Sequence, residues 1–332
     1  MKPDMRRRGS RYNGSTKSKS GISAESSPLQ KVKTEVLLLF HELPDWAKDN
    51  EFIHSGFRPE TNSYWKSLKS MGYIHNETGN IYTHFFAALW MFILGSWWSG
   101  YAKERYPITT FDDTIVFFLF FLGGAICFLL STAYHVFSNH SHATHLFCLK
   151  LDFLGILVVT AGCFPPGLWY TFPCAPRQTK FTWIAVSNTY GYFYLFWEVE
   201  SNSQFDLAAQ FCAALLVLFS KTFQSSKMRA FRGFVFSVMA SSAFYPIIIK
   251  IFQVGWTQAN AEYGASLYGL TIIIYLCSMR VTEAWKPGYF DIWGHSHQIF
   301  HVGMAIGLTV HFLAFFRAVD QFYAVKHGYC PD

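Results

Sequence analysis

The sequence predicts an all-α membrane protein: a seven-transmembrane helix bundle with its N-terminus in the cytoplasm and its C-terminus outside. Three observations predict it. Hydrophobic residues make up 51% of the 332 residues and charged residues only 14%, where soluble domains carry about 25% charged residues. Apolar runs close to the ~20 residues that cross a bilayer recur along the chain between short polar loops. The basic residues sit in loops that share one side of the membrane only if the number of crossings is odd.

Residues 1–33 form the first element, a basic Ser/Gly-rich tail. It holds nine Lys or Arg against Asp4 and Glu25, so the rest of the chain is nearly neutral. Such a composition predicts disorder. The tail has no apolar stretch of the kind found in cleavable signal peptides. Its charge predicts a cytoplasmic location, and no aromatic-basic module accompanies it to suggest nucleic-acid binding. Residues 34–80 read as a cytoplasmic juxtamembrane segment. Thr34–His41 meets LPDW and predicts a short helix or turn. Within Glu51–Gly72, Tyr64, Trp65, Leu68 and Met71 have helical spacing, which predicts an amphipathic stretch against the membrane surface or capping the bundle.

Residues 81–320 contain eight apolar runs: Ile81–Tyr101, Thr114–Phe137, His145–Phe164, Phe181–Trp197, Asp206–Phe223, Ala230–Phe252, Gly264–Thr282 and Gln298–Ala318. Two are short. If Phe181–Trp197 and Asp206–Phe223 both cross, the basic loop with Lys221, Lys227, Arg229 and Arg232 lands outside. A single net crossing there puts it inside, as the positive-inside rule demands, together with Arg280 and Lys286. Seven crossings leave residues 321–332 as a short external tail. In that topology the sequons at Asn13, Asn76 and Asn139 face the cytoplasm, so no glycosylation is expected there. Cys174 and Cys330 both fall outside, where a disulfide can form. With no CxxC pair among seven cysteines, a thiolate zinc site is not expected.

Ionisable groups within spanning segments are costly and mark sites. The second run ends in STAYHVFSNHS, with Ser131 and His135 four residues apart. The third contains LDFLGI, which carries Asp152. The last opens with HSHQIFH, where His297 and His301 are also four apart and project from one helical face. An i, i+4 histidine pair with a third ligand from another helix makes a catalytic-type Zn²⁺ site. Asp152 would then hold the zinc-bound water or orient a histidine. Seven crossings bring His135, Asp152, His297 and His301 to one leaflet, whereas eight would separate His135 from His297 by roughly 20 Å or more of the bilayer core. Lone histidines such as His84 and His311 read as bundle residues, and His140, His142 and His145 as solvated interfacial groups.

From LPDW at Leu43–Trp46 to the C-terminus the chain resembles the progestin and adipoQ receptor family, related to haemolysin III, and within it the adiponectin-receptor and fungal zinc-homeostasis branch. DNEFIHSGFRP (Asp49–Pro59), HNETGNIYTH (His75–His84), the serine–histidine motif, LDFLGI and FDIWGHSHQIFH (Phe290–His301) carry the resemblance in order and spacing. It implies the seven-helix bundle with an inner N-terminus. It also implies Zn²⁺ on His135, His297 and His301, a zinc-bound water held by Asp152, assistance from Ser131, a lipid-filled cavity and, in some members, ceramidase activity. Phe181–Phe223 is longer than the family's single fourth helix. The resulting expectation is a multi-pass protein of the plasma membrane or an endomembrane, with a zinc-dependent amide hydrolase site for a ceramide-like membrane lipid. One rival is a signalling receptor, or a regulator of zinc and lipid homeostasis, with a structural zinc and an external protein ligand. A weaker rival is a metal transporter or sensor, since no chain of polar residues crosses the bilayer.

Overall fold

A computed structural model describes residues 37–181, 228–279, 282–325 and 328–330. The basic tail, the run Asp206–Phe223 and all but Phe181 of the run Phe181–Trp197 lie outside the described residues, as do Lys221, Lys227 and Arg280. Among those described, the architecture is helical with no strand. One isolated antiparallel bridge joins Leu38 to Phe57.

The α-helices among the described residues are α1 (Tyr64–Lys69), α2 (Thr78–Arg105), α3 (Phe111–Phe137), α4 (His142–Thr171), α5 (Arg229–Ser241), α6 (Tyr245–Val254), α7 (Trp256–Tyr263), α8 (Ala265–Ser278) and α9 (Ser296–Asp320). Among the described residues, three segments are long and apolar enough to cross a membrane: Phe111–Phe137, His142–Thr171 and Ser296–Val325. Each of these contains the run expected there and extends it. The Ala230–Phe252 run is not one helix. It breaks at a 3₁₀ turn, Ser242–Phe244, just before Pro246, and α6 then ends at Gly255, whose φ of +78° a residue with a Cβ rarely adopts. Ahead of α2, Phe40–Glu42 and Asp45–Ala47 form short 3₁₀ turns and Tyr64–Gly72 is helical, with Tyr64, Trp65 and Leu68 exposed as an amphipathic stretch requires.

Local chemistry starts α3 and α4. The Asp113 carboxylate accepts from the backbone N–H and the hydroxyl of Thr110, both at 2.7 Å, which closes a capping box. Ser141 caps α4 through the Thr144 N–H. The two helices then pack backbone to backbone. A Cβ on Gly162 would lie 2.7 Å from the Leu119 carbonyl oxygen, and one on Gly155 3.0 Å from Cys127 Cα. Small residues permit this approach, and it gains dispersion energy where apolar burial drives little.

Aromatic rings fill the bundle between its two ends. Trp98 stands 4.5 Å from Phe117 between ring centroids, and Phe120 packs edge-on against Phe315 at 5.3 Å. At one end Asp113 is buried and also accepts from Trp169 Nε1 (3.2 Å), Tyr170 OH (2.5 Å) and Tyr323 OH (2.9 Å). Asp112 beside it takes both arms of the Arg177 guanidinium. Cys174 and Cys330 are joined as a disulfide across 156 residues. α3 carries the chain about 33 Å from Asp113 to His135 at the opposite end.

Candidate metal centre

His135 occupies the last turn of α3, and His297 and His301 the first two turns of α9. Two interactions prepare these ends. The N-terminus of α9 is capped by Glu283, which accepts from the Ser296 N–H at 2.7 Å and the Ser296 hydroxyl at 2.5 Å. Burial raises the Glu283 carboxyl, but these bonds outweigh it and hold the group below the usual glutamate range. The C-terminus of α3 is gripped from outside by Arg58, which donates to the carbonyls of His135 (2.5 Å) and Val136 (3.0 Å).

The three imidazoles converge. Nε2 of His297 is 3.3 Å from Nε2 of His135 and 3.2 Å from Nε2 of His301. The ligand atoms of all three lie within 4.8 Å of one another. His135 and His301 are buried, while His297 keeps an exposed edge. A tetrahedral zinc with Zn–N bonds of about 2.0–2.1 Å holds its ligand atoms about 3.3–3.4 Å apart, so the two short edges already have the right length.

The tautomers fit as well. Nδ1 of His135 lies 2.8 Å from a carboxylate oxygen of Glu77, and Nδ1 of His301 lies 3.1 Å from the Asn80 carbonyl. Both partners can only accept, so each ring carries its proton on Nδ1 and turns the Nε2 lone pair inward. Converging lone pairs repel unless a cation sits among them. A carboxylate or carbonyl behind the imidazole is the usual support of a metal-bound histidine. The residues present therefore fit a Zn²⁺ ion.

Glu77 also accepts from Asn80 Nδ2 at 2.6 Å. Burial opposes its ionisation, but the His135 ring and the Arg58 cation hold the carboxyl well below the usual range. His75, fully buried, is pushed down to about 3 by burial and by Arg58. It is a neutral ring whose Nδ1 accepts from the Glu77 N–H at 3.0 Å. Burial lowers Arg58 only to about 10, so it remains a cation at neutral pH.

Ser131 is buried one turn before His135, and Asp152 is partly buried on α4. Ser131 lies close enough to Asp152 for its hydroxyl to act on the carboxylate, and Asp152 lies within electrostatic reach of the His135 ring. The Gly155 and Gly162 approach brings α4 this near. His84 is not an isolated bundle residue: its ring stacks on His301 at 3.5 Å and 8°. His311 does stand apart, among Phe244, Tyr268 and Phe315. Of the interfacial histidines, His142 is exposed and stacks on Trp46, while His140 and His145 are half-buried against Tyr64 and Tyr134. Glu77, Asn80, Arg58 and His84 were not among the site residues expected from sequence. The available signal was a run of polar and ionisable groups, His75–Asn80, at the mouth of an apolar segment.

Residues 72–312 match the model of the haemolysin-III related family. The chain belongs to that family. The haemolysin-III related match takes in all of α2, α3, α4 and α8 and the histidine-bearing turns of α9. The chain is 32% identical to the Progestin and adipoQ receptor-like protein 1 of Caenorhabditis elegans, over 86% of its own length and 62% of that relative's. It is 31% identical to the ADIPOR-like receptor IZH2 of Saccharomyces cerevisiae, over 87% of its own length and 86% of the relative's. It is 30% identical to Heptahelical transmembrane protein 1 of Arabidopsis thaliana, over 87% and 83%. The chain is thus a multi-pass integral membrane protein of the adiponectin-receptor-like kind, and it spans about three fifths of the length of the nematode relative.

Proposed function

We propose that this chain is a heptahelical, zinc-dependent, receptor-like lipid amide hydrolase, with its N-terminus and metal site on the cytoplasmic side and its C-terminus outside. The single observation that carries the reading is the convergence of His135, His297 and His301 through their Nε2 atoms. The orientation draws support from the Cys174–Cys330 disulfide at the far end of the bundle, since disulfides persist on the oxidising side of a membrane. The relative named heptahelical supports the span count.

His135, His297 and His301 would hold the zinc, which when bound polarises a carbonyl and acidifies a water. Asp152 accepts the proton of the attacking water and passes it to the departing amine nitrogen. Ser131 orients the Asp152 carboxylate. Water and a ceramide-like amide are consumed, and a fatty acid and a sphingoid base are released. The exposed edge of His297 leaves a side by which a lipid can enter from the bilayer.

The receptor names of the relatives favour a second reading, in which zinc only staples α3 to α9 and an external protein ligand shifts the bundle. Metal content and ceramide turnover, measured together on detergent-purified wild type and a His297→Ala/His301→Ala variant, separate the two. About one zinc per chain, with metal and turnover both lost in the variant, supports the hydrolase. Zinc without turnover moves the assignment to the receptor, and wild type without zinc overturns both.

A further inference from the structure

Arg58 lies in the segment before α1, outside every helix, yet it is only 5% exposed. Both of its terminal nitrogens are engaged. Nη1 donates to Ser70 Oγ at 2.7 Å and to the Val136 carbonyl at 3.0 Å, while Nη2 donates to the His135 carbonyl at 2.5 Å and to Ser138 Oγ at 3.1 Å. The two carbonyls are among the last four of α3, which have no partner inside their own helix. A buried cation also suits the negative end of the helix dipole.

This matters because the histidines are mounted unequally. His297 and His301 share α9, so the helix fixes their spacing. His135 is the single member of the cluster from α3 and comes from its last turn, where helices fray. An imidazole Nε2 lies roughly 6 Å from the helix axis, so a 20° rotation of that turn would move it by about 2 Å. A metal site tolerates only about 0.2 Å. Something must lock the turn. Glu77 locks the ring, and Arg58 holds the backbone from which the ring hangs.

We infer that Arg58 is a positioning residue for the metal centre, holding the last turn of α3 so that His135 Nε2 meets Nε2 of His297. The inference rests on the metal reading. Lysine keeps the charge but has no planar fork with which to reach two carbonyls and two hydroxyls at once, so it does not replace Arg58.

The test uses the full chain in detergent: wild type, Arg58→Lys, Arg58→Ala and, as a control for general destabilisation, Asp113→Asn at the opposite end of the bundle. Zinc affinity is read by chelator competition, ligand geometry by the visible absorption of the cobalt-substituted protein, and stability by thermal melting. Arg58→Lys is expected to lose about tenfold or more in zinc affinity and to show an altered cobalt spectrum. Asp113→Asn is expected to melt earlier with affinity and spectrum unchanged. Arg58→Lys is the decisive variant if Arg58→Ala does not fold. A folded Arg58→Lys with wild-type affinity and spectrum overturns the inference while the metal reading stands. Wild type that takes up neither zinc nor cobalt overturns the metal reading, and the inference with it.

Discussion

One carboxylate oxygen of Glu77 lies 2.8 Å from Nδ1 of His135 and 2.6 Å from Nδ2 of Asn80, whose own backbone carbonyl is 3.1 Å from Nδ1 of His301. The first turn of α2 thus stands behind two of the three converging imidazoles and turns both toward a common point. Glu77→Gln keeps the shape and removes the charge. It is expected to lower zinc affinity by about 10–100-fold while the protein stays folded. Chelator competition followed by circular dichroism checks both parts.

Asp152 stands beside Ser131 and near His135, but its carboxylate is not one of the converging ligand groups. Asp152→Asn should therefore keep about one zinc per chain and lose ceramide hydrolysis. Full turnover in that variant would remove Asp152 from the reaction.

Asp113 gathers Thr110, Trp169, Tyr170 and Tyr323 at the end of the bundle away from the histidines. Asp113→Asn replaces one acceptor oxygen with a donor and strands either the buried Tyr170 hydroxyl and Trp169 N–H or the Thr110 and Tyr323 donors. A loss of roughly 2–4 kcal/mol is expected, visible as a lower melting temperature. Zinc content should not change, since the site lies about 33 Å away along α3.

The Cys174–Cys330 disulfide closes a long loop. Its reduction should cost roughly 2–4 kcal/mol and slow the chain on a denaturing gel. Identical mobility with and without reductant, together with alkylation of both thiols in untreated protein, would show that the bond is absent.

Glu283 has its folded-state pKa held below its unfolded value of about 4.3 by the Ser296 bonds, despite burial. A depressed carboxylate contributes stability that is complete above the unfolded pKa and is lost as pH falls through the folded one. Melting temperature should accordingly fall below about pH 4. Glu283→Gln should melt lower than wild type at neutral pH, and the gap should close in acid. A gap that stays constant from neutral pH into acid would exclude this linkage.

Much of the histidine cluster is legible in the sequence. His297 and His301 are four apart on one helix, a relation fixed by helical period alone. His135 joined them through an argument about charge and crossing number. Glu77 and Arg58 could not be placed this way. They meet His135 from 58 and 77 residues away, and no local pattern in residues 49–80 shows that pairing. His84 read as an ordinary bundle residue because nothing local shows that its ring stacks on His301. Pro246 stood in view, yet the division of the Ala230–Phe252 run into two helices did not show, since hydropathy is blind to backbone conformation.

The sequence alone determined the membrane class, the three long apolar helices and the spacing of the histidine pair, and it pointed to the candidate metal ligands. These follow from composition, from a period of 3.6 and from the cost of ionisable groups in lipid, all of which act locally. Only the tertiary structure decided which nitrogen of each imidazole faces inward, which residues stand behind them and what anchors the last turn of α3. Those are matters of hydrogen bonds between segments far apart in the chain, and their geometry exists only once α2, α3 and α9 have packed.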